Sequence, residues 1–262
     1  GLGVAGAGYQ QAAGYAKERL QGRSADGARG PVAIIDHADV RRMLLNIRAF
    51  VEAGRALGGW TALQLDRAHH HPDAAERTKA DALVALLTPV VKAAFTDFGF
   101  ESAVQAQQVF GGHGYIREWG MEQYVRDARI AQIYEGTNGV QAMDLVGRKL
   151  ALADGAVVEG YFASVAADLD AAGTIDVADK TRAALALLRT ATASLQDANG
   201  DAAGAAAVDY LRLFALVSMG WMWTRMAAAA QGDDPLHIGK RIVADFFAQR
   251  MLPQAHSLAA SI

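Results

Sequence analysis

Two short glycine-rich segments contain the residue types best suited to chemistry: Gly111-Gly112-His113-Gly114-Tyr115 and Tyr134-Glu135-Gly136-Thr137. Backbone N–H groups in a glycine-rich turn can bind phosphate oxygens, and a carboxylate withdrawn from water can act as a general base. Each segment alone also has a plainer interpretation. The first is more often a simple turn, and Glu135 would more often be a solvated carboxylate or a residue in the first turn of a helix.

Helices must position both segments, because apolar residues recur at spacings of three and four along most of the chain. Only 5 prolines interrupt this pattern, and strand-like alternation is scarce. One predicted buried stripe continues toward Leu65 and is formed by Val40, Met43, Leu44, Ile47 and Val51. The pattern predicts an all-α chain with helices over about residues 2–20, 37–70, 73–98, 102–109, 121–133, 137–149, 156–172, 177–198, 202–230 and 236–258. Both glycine-rich segments then lie in loops, and Thr137 is placed to cap the helix that follows it.

Composition excludes several classes of function. The 262 residues are 52% hydrophobic, and 25 basic against 28 acidic residues leave a net charge of -3, too little positive field for nucleic acid or an anionic membrane. The absence of cysteine excludes disulfides and thiolate chemistry and is typical of a cytoplasmic protein. The most apolar run, Leu213 to Trp223, is shorter than the roughly 20 residues of a membrane helix, so we predict a buried helix and no integral membrane segment.

The sequence changes character near Asp154, after which it is rich in alanine. This change predicts a separate up-and-down helical bundle over residues 155–262 with packing, interface or substrate-channel roles. The three adjacent histidines at 69–71 point in different directions on a helix end, so we predict a solvated terminus and no metal site there. The start, Gly1 to Tyr15, has the pattern of a helix interior without an initiator Met, which predicts a truncated chain.

Two motifs occur in a fixed order: Gln108-Val-Phe-Gly-Gly-His-Gly-Tyr115, then Tyr124-Val-Arg-Asp-Ala-Arg-Ile-Ala-Gln-Ile-Tyr-Glu-Gly-Thr-Asn138. Together they resemble the C-terminal signature of the acyl-CoA dehydrogenase family. The segment Tyr15 to Arg23 resembles the family's segment at the end of the preceding long helix, but it lacks the usual Phe and is followed by a longer loop at 24–31. The resemblance covers about residues 1–150.

The resemblance implies an up-and-down four-helix bundle of the acyl-CoA dehydrogenase type over residues 1–154, followed by the second bundle over 155–262. This second region resembles the extra C-terminal domain of a subfamily that includes 3-methylmercaptopropionyl-CoA dehydrogenase-like enzymes. The implied activity is FAD-dependent α,β-dehydrogenation of an acyl-CoA thioester. Glu135 is then the catalytic base that removes the α-proton, and Tyr134 and Gly136 lie beside the substrate. Because the family's N-terminal helical domain and middle β-domain are missing here, we expect the fragment alone to be inactive.

The resemblance also implies cofactor contacts and partners. The residues that correspond to FAD contacts are Arg19, Gln21, Gln108, Gly111, Gly112, Thr137 and Asn138. Of these, Gln108 to Gly112 would hold the pyrophosphate of a neighbouring subunit's FAD through backbone N–H groups. The intact enzyme would pass electrons to an electron-transferring flavoprotein and form a homo-oligomer, either a dimer or a tetramer.

Two rival functions stay open at this point. One is an acyl-CoA oxidase, which passes electrons to oxygen, and the other is a non-catalytic helical oligomerisation module that retains the motifs only for packing. Within the second motif, Arg126, Asp127 and Arg129 are expected to form a structural ion-pair cluster. His113 is expected to be a loop residue.

Overall fold

The computed structural model describes residues 1–23 and 30–262, so most of the predicted loop at 24–31 lies outside the described residues. The all-α prediction is confirmed, because the described residues form helices and their one β interaction is an isolated bridge between Leu20 and Ala33. The α-helices are α1 (Leu2–Glu18), α2 (Ala38–His70), α3 (Ala74–Val109), α4 (Gly112–Tyr115), α5 (Met121–Ala131), α6 (Asn138–Asp144), α7 (Ala156–Ala171), α8 (Asp176–Asp197), α9 (Gly200–Ala229), α10 (Pro235–Phe246) and α11 (Gln254–Ala260). Short π-helical turns follow α6 and α10, over Leu145–Lys149 and Phe247–Met251.

Two predicted helix limits were wrong. The helices predicted at 73–98 and 102–109 are one helix, α3. A lone glycine inside a helix costs only about 1 kcal/mol, and Gly99 has a packing reason, because a Cβ there would lie 2.6 Å from Cα of Gly1. The last predicted helix, 236–258, is divided at Pro253, which has no N–H to donate to the preceding turn.

The chain divides into two compact units, residues 1–52 with 95–134 and residues 53–94 with 135–262. Each unit contains part of α2 and part of α3, so segments of the two units alternate along the sequence. The predicted domain boundary at residues 154–155 stays a prediction.

The first unit has a core of small residues and stacked aromatic rings. In α1 the buried positions recur every three or four residues, at Ala5, Gly8, Ala12 and Ala16. A Cβ on Gly8 would lie 3.2 Å from that of Ala106 in α3, so the two helices are closely packed. Phe50 stacks on Phe98 with ring centroids 5.5 Å apart.

The predicted stripe of α2 is largely confirmed: Met43, Leu44, Ile47 and Val51 are buried and Val40 is half-buried. Leu65, however, is 42% exposed. Gln64 lies seven residues after the buried Leu57, close to two helical turns, and takes the buried position instead.

The second unit is built on α9, against which α7, α8 and α10 pack. Every residue from Leu213 to Trp223 is buried, which confirms the predicted buried helix. By length and composition alone, α3 and α9 could cross a membrane, a test that core helices also pass, and their most apolar stretches are 44% and 61% buried. The burial of α9 by neighbouring helices favours a core role for its apolar residues.

Candidate active site

A cavity of about 330 Å³ lies in the first unit, and four residues predicted to contact FAD line it: Arg19, Gln21, Gln108 and Gly111. They come from the end of α1, the segment after it, the last turn of α3 and the first glycine-rich loop. Tyr15, His37 and Phe110 complete much of the wall. The cavity therefore combines one guanidinium with several neutral hydrogen-bonding groups.

The segment after α1 is fixed by backbone hydrogen bonds. Ile34 N–H donates to the Arg19 carbonyl at 2.8 Å, and Gln21 N–H donates to the Val32 carbonyl at 2.9 Å. His37 Nε2 lies 2.7 Å from the Gln21 carbonyl oxygen. Because a carbonyl only accepts, Nε2 must carry the proton and donate it. These bonds keep residues 19–21 at the edge of the cavity.

Sequence reasoning missed His37 as a cavity residue. Its contact with the Gln21 carbonyl joins positions 16 apart, which helical periodicity does not report. The sequence shows only that His37 lies directly before a helix, and histidines without a function also occur at that position.

The first glycine-rich loop uses its glycines for different reasons. Gly111 has φ 59° and ψ -137°, a backbone region that is essentially restricted to glycine. A Cβ on Gly114 would lie 2.3 Å from the Gln107 carbonyl oxygen, so this glycine is required by close packing. Gln107 Nε2 also donates to the Gly114 carbonyl at 3.0 Å, which fastens the loop to the end of α3.

The Gly111 amide has a partner within the protein, and its contact with phosphate stays a prediction. The N–H of Gly111 donates to the Gln108 carbonyl at 2.9 Å, so it is already used within the turn that ends α3. The Gly112 and His113 amides lie at the start of α4, where N–H groups have no partner in a preceding turn. If the loop donates backbone N–H groups to phosphate, these two are better placed than that of Gly111.

His113 belongs to an aromatic cluster that includes two cavity residues, Tyr15 and Phe110. Its ring stacks on Trp119 with centroids 4.7 Å apart and planes 6° from parallel. Tyr15 in turn stacks on Phe110, with centroids 4.1 Å apart. The aromatic rings thus support both the end of α1 and the glycine-rich loop.

The second glycine-rich segment contains two successive residues in the left-handed region. Glu135 has φ 51° and Gly136 has φ 80°. A non-glycine residue rarely adopts such a conformation, and Glu135 is one of few in the described chain that do so. The backbone conformation alone accounts for a glycine at position 136. The close approach of substrate that we predicted there stays a prediction.

The side chain of Glu135 is exposed, as are Tyr134, Gly136 and Thr137. No described residue therefore supplies the desolvation that we predicted for the carboxylate. The other members of this segment have defined local partners. Thr137 Oγ1 accepts from Val140 N–H at 3.3 Å, which confirms the predicted cap of α6.

Asn138 makes hydrogen bonds to α3 that the sequence did not predict. Its Oδ1 accepts from Lys92 Nζ at 2.8 Å, and its Nδ2 donates to the Ala93 carbonyl at 3.3 Å. Lys92 Nζ also donates to the Gly136 carbonyl at 2.8 Å. Both ends of the Asn138 amide are thus bonded to the same turn of α3, and its contact with FAD stays a prediction.

The expected ion-pair cluster in the second motif was wrong. In the described parts of the chain, Arg126, Asp127 and Arg129 are exposed and no ion pair joins them. Asp127 instead accepts from Gln123 at 2.6 Å, and Arg129 donates to Gln132 at 3.0 Å. Asp127 is one residue from Arg126 and two from Arg129, and helix residues at these separations point in different directions, so nearness in sequence did not bring the charges together.

Comparison with known families divides the chain in two. Residues 1–151 match the family model "Acyl-CoA dehydrogenase, C-terminal domain", and residues 161–262 match "Acetyl-CoA dehydrogenase C-terminal like". The chain is 40% identical to a 3-methylmercaptopropionyl-CoA dehydrogenase of Ruegeria pomeroyi over 96% of its own length. It spans 45% of the length of that relative.

Solved structures share the fold. An acyl-CoA dehydrogenase complexed with FAD from Bacillus anthracis matches 98% of this chain and 46% of that protein, with a TM-score of 0.76 and 18% identity. An acyl-CoA oxidase of Yarrowia lipolytica matches 98% of this chain and 42% of that protein, with a TM-score of 0.72 and 19% identity. At such identities the structures establish the fold alone. The family model over residues 1–151 settles the classification: the chain belongs to the acyl-CoA dehydrogenase family.

Proposed function

We propose that this chain is the C-terminal helical part of an FAD-dependent acyl-CoA dehydrogenase that oxidises the Cα–Cβ bond of an acyl-CoA thioester. The observation that carries the proposal is the conformation of Glu135 within the family's second motif. A left-handed conformation costs an L-residue roughly 1–2 kcal/mol, and such strain concentrates at functional sites. The strain is unexplained by packing of the side chain, which is exposed.

In the proposed reaction the Glu135 carboxylate takes a proton from Cα, and a hydride leaves Cβ as the C=C bond forms. The bound flavin supplies the two-electron acceptor, which no side chain of this protein can provide. The backbone N–H of Glu135 is a proposed donor to the developing enolate oxygen of the thioester. Glu135 thus acts twice, once through its carboxylate and once through its amide.

Because Glu135 is exposed, something other than the described residues must exclude water from it during the reaction. A carboxylate in water is a weak base toward a thioester α-proton, and exclusion of water strengthens it. We propose that the bound acyl-CoA, together with regions of the intact protein outside this chain, excludes water from Glu135. Tyr134 and Gly136 are the neighbours proposed to face the thioester.

We further propose that the cavity in the first unit takes the diphosphate of FAD. Arg19 offers a guanidinium, whose planar fork of N–H donors suits phosphate oxygens, and Gln21 and Gln108 offer neutral amides. The cavity volume of about 330 Å³ leaves room for a diphosphate. Contacts of Gly112, Thr137 and Asn138 with FAD are proposed as well.

The proposed electron acceptor of the intact enzyme is an electron-transferring flavoprotein, and the proposed assembly is a homo-oligomer in the bacterial cytoplasm. An acyl-CoA oxidase, with oxygen as the electron acceptor, is the alternative within the same fold. Stopped-flow mixing of the reduced full-length protein with O₂ separates the two. Reoxidation within the turnover time favours an oxidase, and slow reoxidation favours a dehydrogenase.

The decisive experiment compares the full-length protein with its Glu135→Gln variant during anaerobic bleaching of the flavin by a panel of acyl-CoA thioesters. Loss of a general base lowers rates by about 10²–10⁴-fold, so the variant should bind flavin and thioester but bleach at least a hundredfold more slowly. Glu159→Gln removes an exposed carboxylate of the second unit and should behave as the unaltered protein. If Glu135→Gln and the unaltered protein bleach the flavin at equal rates, Glu135 is not the base, and the non-catalytic oligomerisation module becomes the favoured function.

A further inference from the structure

We infer that Lys92 is a positioning residue that holds the Glu135 loop, residues 134–138, in its reactive conformation. The inference rests on the proposed function, because it assigns Lys92 a role through Glu135. Lys92 lies in α3, half-buried, 44 positions before Gly136 and 46 before Asn138. Its ammonium group reaches the loop through two hydrogen bonds.

The two acceptors of Lys92 lie on either side of Thr137. Nζ is 2.8 Å from the Gly136 carbonyl oxygen and 2.8 Å from Asn138 Oδ1. Hydrogen bonds from an ammonium are roughly twice as strong as those between neutral groups. The Gly136 bond fixes the peptide that immediately follows Glu135–Gly136, and the Asn138 bond fixes the first residue of α6.

Three further local contacts of the loop are longer and uncharged. Gln141 Nε2 donates to the Glu135 carbonyl at 3.4 Å, and Thr137 Oγ1 accepts from Val140 at 3.3 Å. Asn138 Nδ2 donates to the Ala93 carbonyl at 3.3 Å. By length and charge, the two bonds from Lys92 are stronger than these three.

The loop needs such a restraint because its backbone is strained. Glu135 at φ 51° would relax to a right-handed or extended conformation if the following peptide were free to rotate. That rotation would turn both the carboxylate and the amide of Glu135. A fixed Gly136 carbonyl blocks the rotation, so the lysine contributes to the reaction without touching substrate.

The test uses the full-length flavin-loaded protein with Lys92→Met, which keeps the apolar stem and removes the donors. We expect kcat to fall at least tenfold while KM and the flavin-to-protein ratio stay within twofold. Hydrogen exchange should accelerate at least tenfold in the peptide covering residues 133–140 and stay unchanged elsewhere. Lys92→Arg, which keeps a charged donor, should recover at least half of the lost exchange protection on a logarithmic scale.

The matched control is Lys79→Met, a lysine of the same helix with an exposed side chain, which should change none of these quantities. An unchanged exchange rate and a kcat within twofold of the unaltered protein for Lys92→Met would overturn the inference. If Lys92→Met does not fold, Lys92→Leu, which also lacks a donor, is measured by the same criteria. A kcat of Glu135→Gln equal to that of the unaltered protein would instead contradict the proposed function. The hydrogen-exchange rate of residues 133–140 in Lys92→Met would still show whether Lys92 holds the loop.

Discussion

The hydroxyl of Tyr15 lies 2.8 Å from Nδ1 of His113, which joins the last turn of α1 to the first glycine-rich loop. The same tyrosine ring stacks on Phe110 and lines the proposed diphosphate cavity. Arg19 follows Tyr15 by about one helical turn, and Gly111 follows Phe110 directly. One side chain therefore links the end of α1 to the first glycine-rich loop, the two segments proposed to contact the cofactor.

The first prediction separates the hydrogen bond of Tyr15 from its stacking. Tyr15→Phe should lower the free energy of unfolding by about 0.5–1.5 kcal/mol, the usual net value of one hydrogen bond. Tyr15→Leu should cost about 0.5–1.5 kcal/mol more, because it also removes the aromatic pairs. Urea denaturation of the full-length protein measures both, and equal losses for the two variants would contradict a stacking contribution.

A second prediction tests why the glycine-rich loop needs Gly114. Gly114→Ala forces a Cβ to within 2.3 Å of the Gln107 carbonyl oxygen, and overpacking of this kind costs about 1–3 kcal/mol. Gly14→Ala is the matched control in α1, where no atom lies within 4 Å of the added Cβ. It should instead stabilise the protein by about 0.5–1 kcal/mol, since alanine favours a helix interior. Thermal unfolding should therefore shift in opposite directions for the two variants, and a common direction would count against the close packing of Gly114.

Local patterns predicted most of the fold because helices are stabilised by residues three and four apart. The limits of α1, α2, α7 and α8 fall within a few residues of those predicted. The error at α3 has a tertiary cause, since the packing of Gly99 against Gly1 cannot be read from either residue.

The candidate site was predictable only where a motif reported it. Arg19, Gln21, Gln108 and Gly111 line one cavity, and their joint position follows from the family pattern. Lys92 and His37 were missed, since each contacts a backbone carbonyl far away in sequence. The left-handed conformation of Glu135 was also missed, because glutamate, unlike glycine or asparagine, gives no local signal for it.

A third prediction concerns the buried hydrogen bond between Tyr161 and Ser218. Tyr161 donates to Ser218 Oγ at 2.7 Å, and Ser218 donates to the Phe214 carbonyl at 2.8 Å. Burial raises the pKa of the Tyr161 hydroxyl, which keeps it a neutral donor. Ser218→Ala leaves that hydroxyl buried without its acceptor and should cost about 1–3 kcal/mol.

The reverse change should cost less, because Tyr161→Phe removes a donor while Ser218 keeps its bond to Phe214. We expect about 0.5–1.5 kcal/mol for Tyr161→Phe. Denaturant midpoints at constant m-value give both numbers. A larger loss for Tyr161→Phe than for Ser218→Ala would show that the asymmetry is absent.

The fourth prediction is a pH dependence at the start of α10. The side chain of Asp234 accepts from the Leu236 and His237 amides and from the His237 ring. The hydrogen bond from the His237 side chain, helped by these amides, lowers the pKa of Asp234. A carboxyl whose pKa is lower in the folded state contributes stability above its unfolded pKa and loses that contribution as pH falls through its folded pKa.

Asp234→Asn tests this sign because asparagine still caps a helix but does not ionise. The unaltered protein should melt at a higher temperature than Asp234→Asn near neutral pH, and the difference should shrink toward zero as pH falls below about 4, through the lowered pKa of Asp234. Asp233→Asn removes the adjacent carboxylate, fully exposed and 3.9 Å from Arg241, and should give a much smaller difference. If the Asp234→Asn difference is instead constant from neutral pH into acid, ionised Asp234 does not stabilise the start of α10, and the cap acts through its neutral geometry alone.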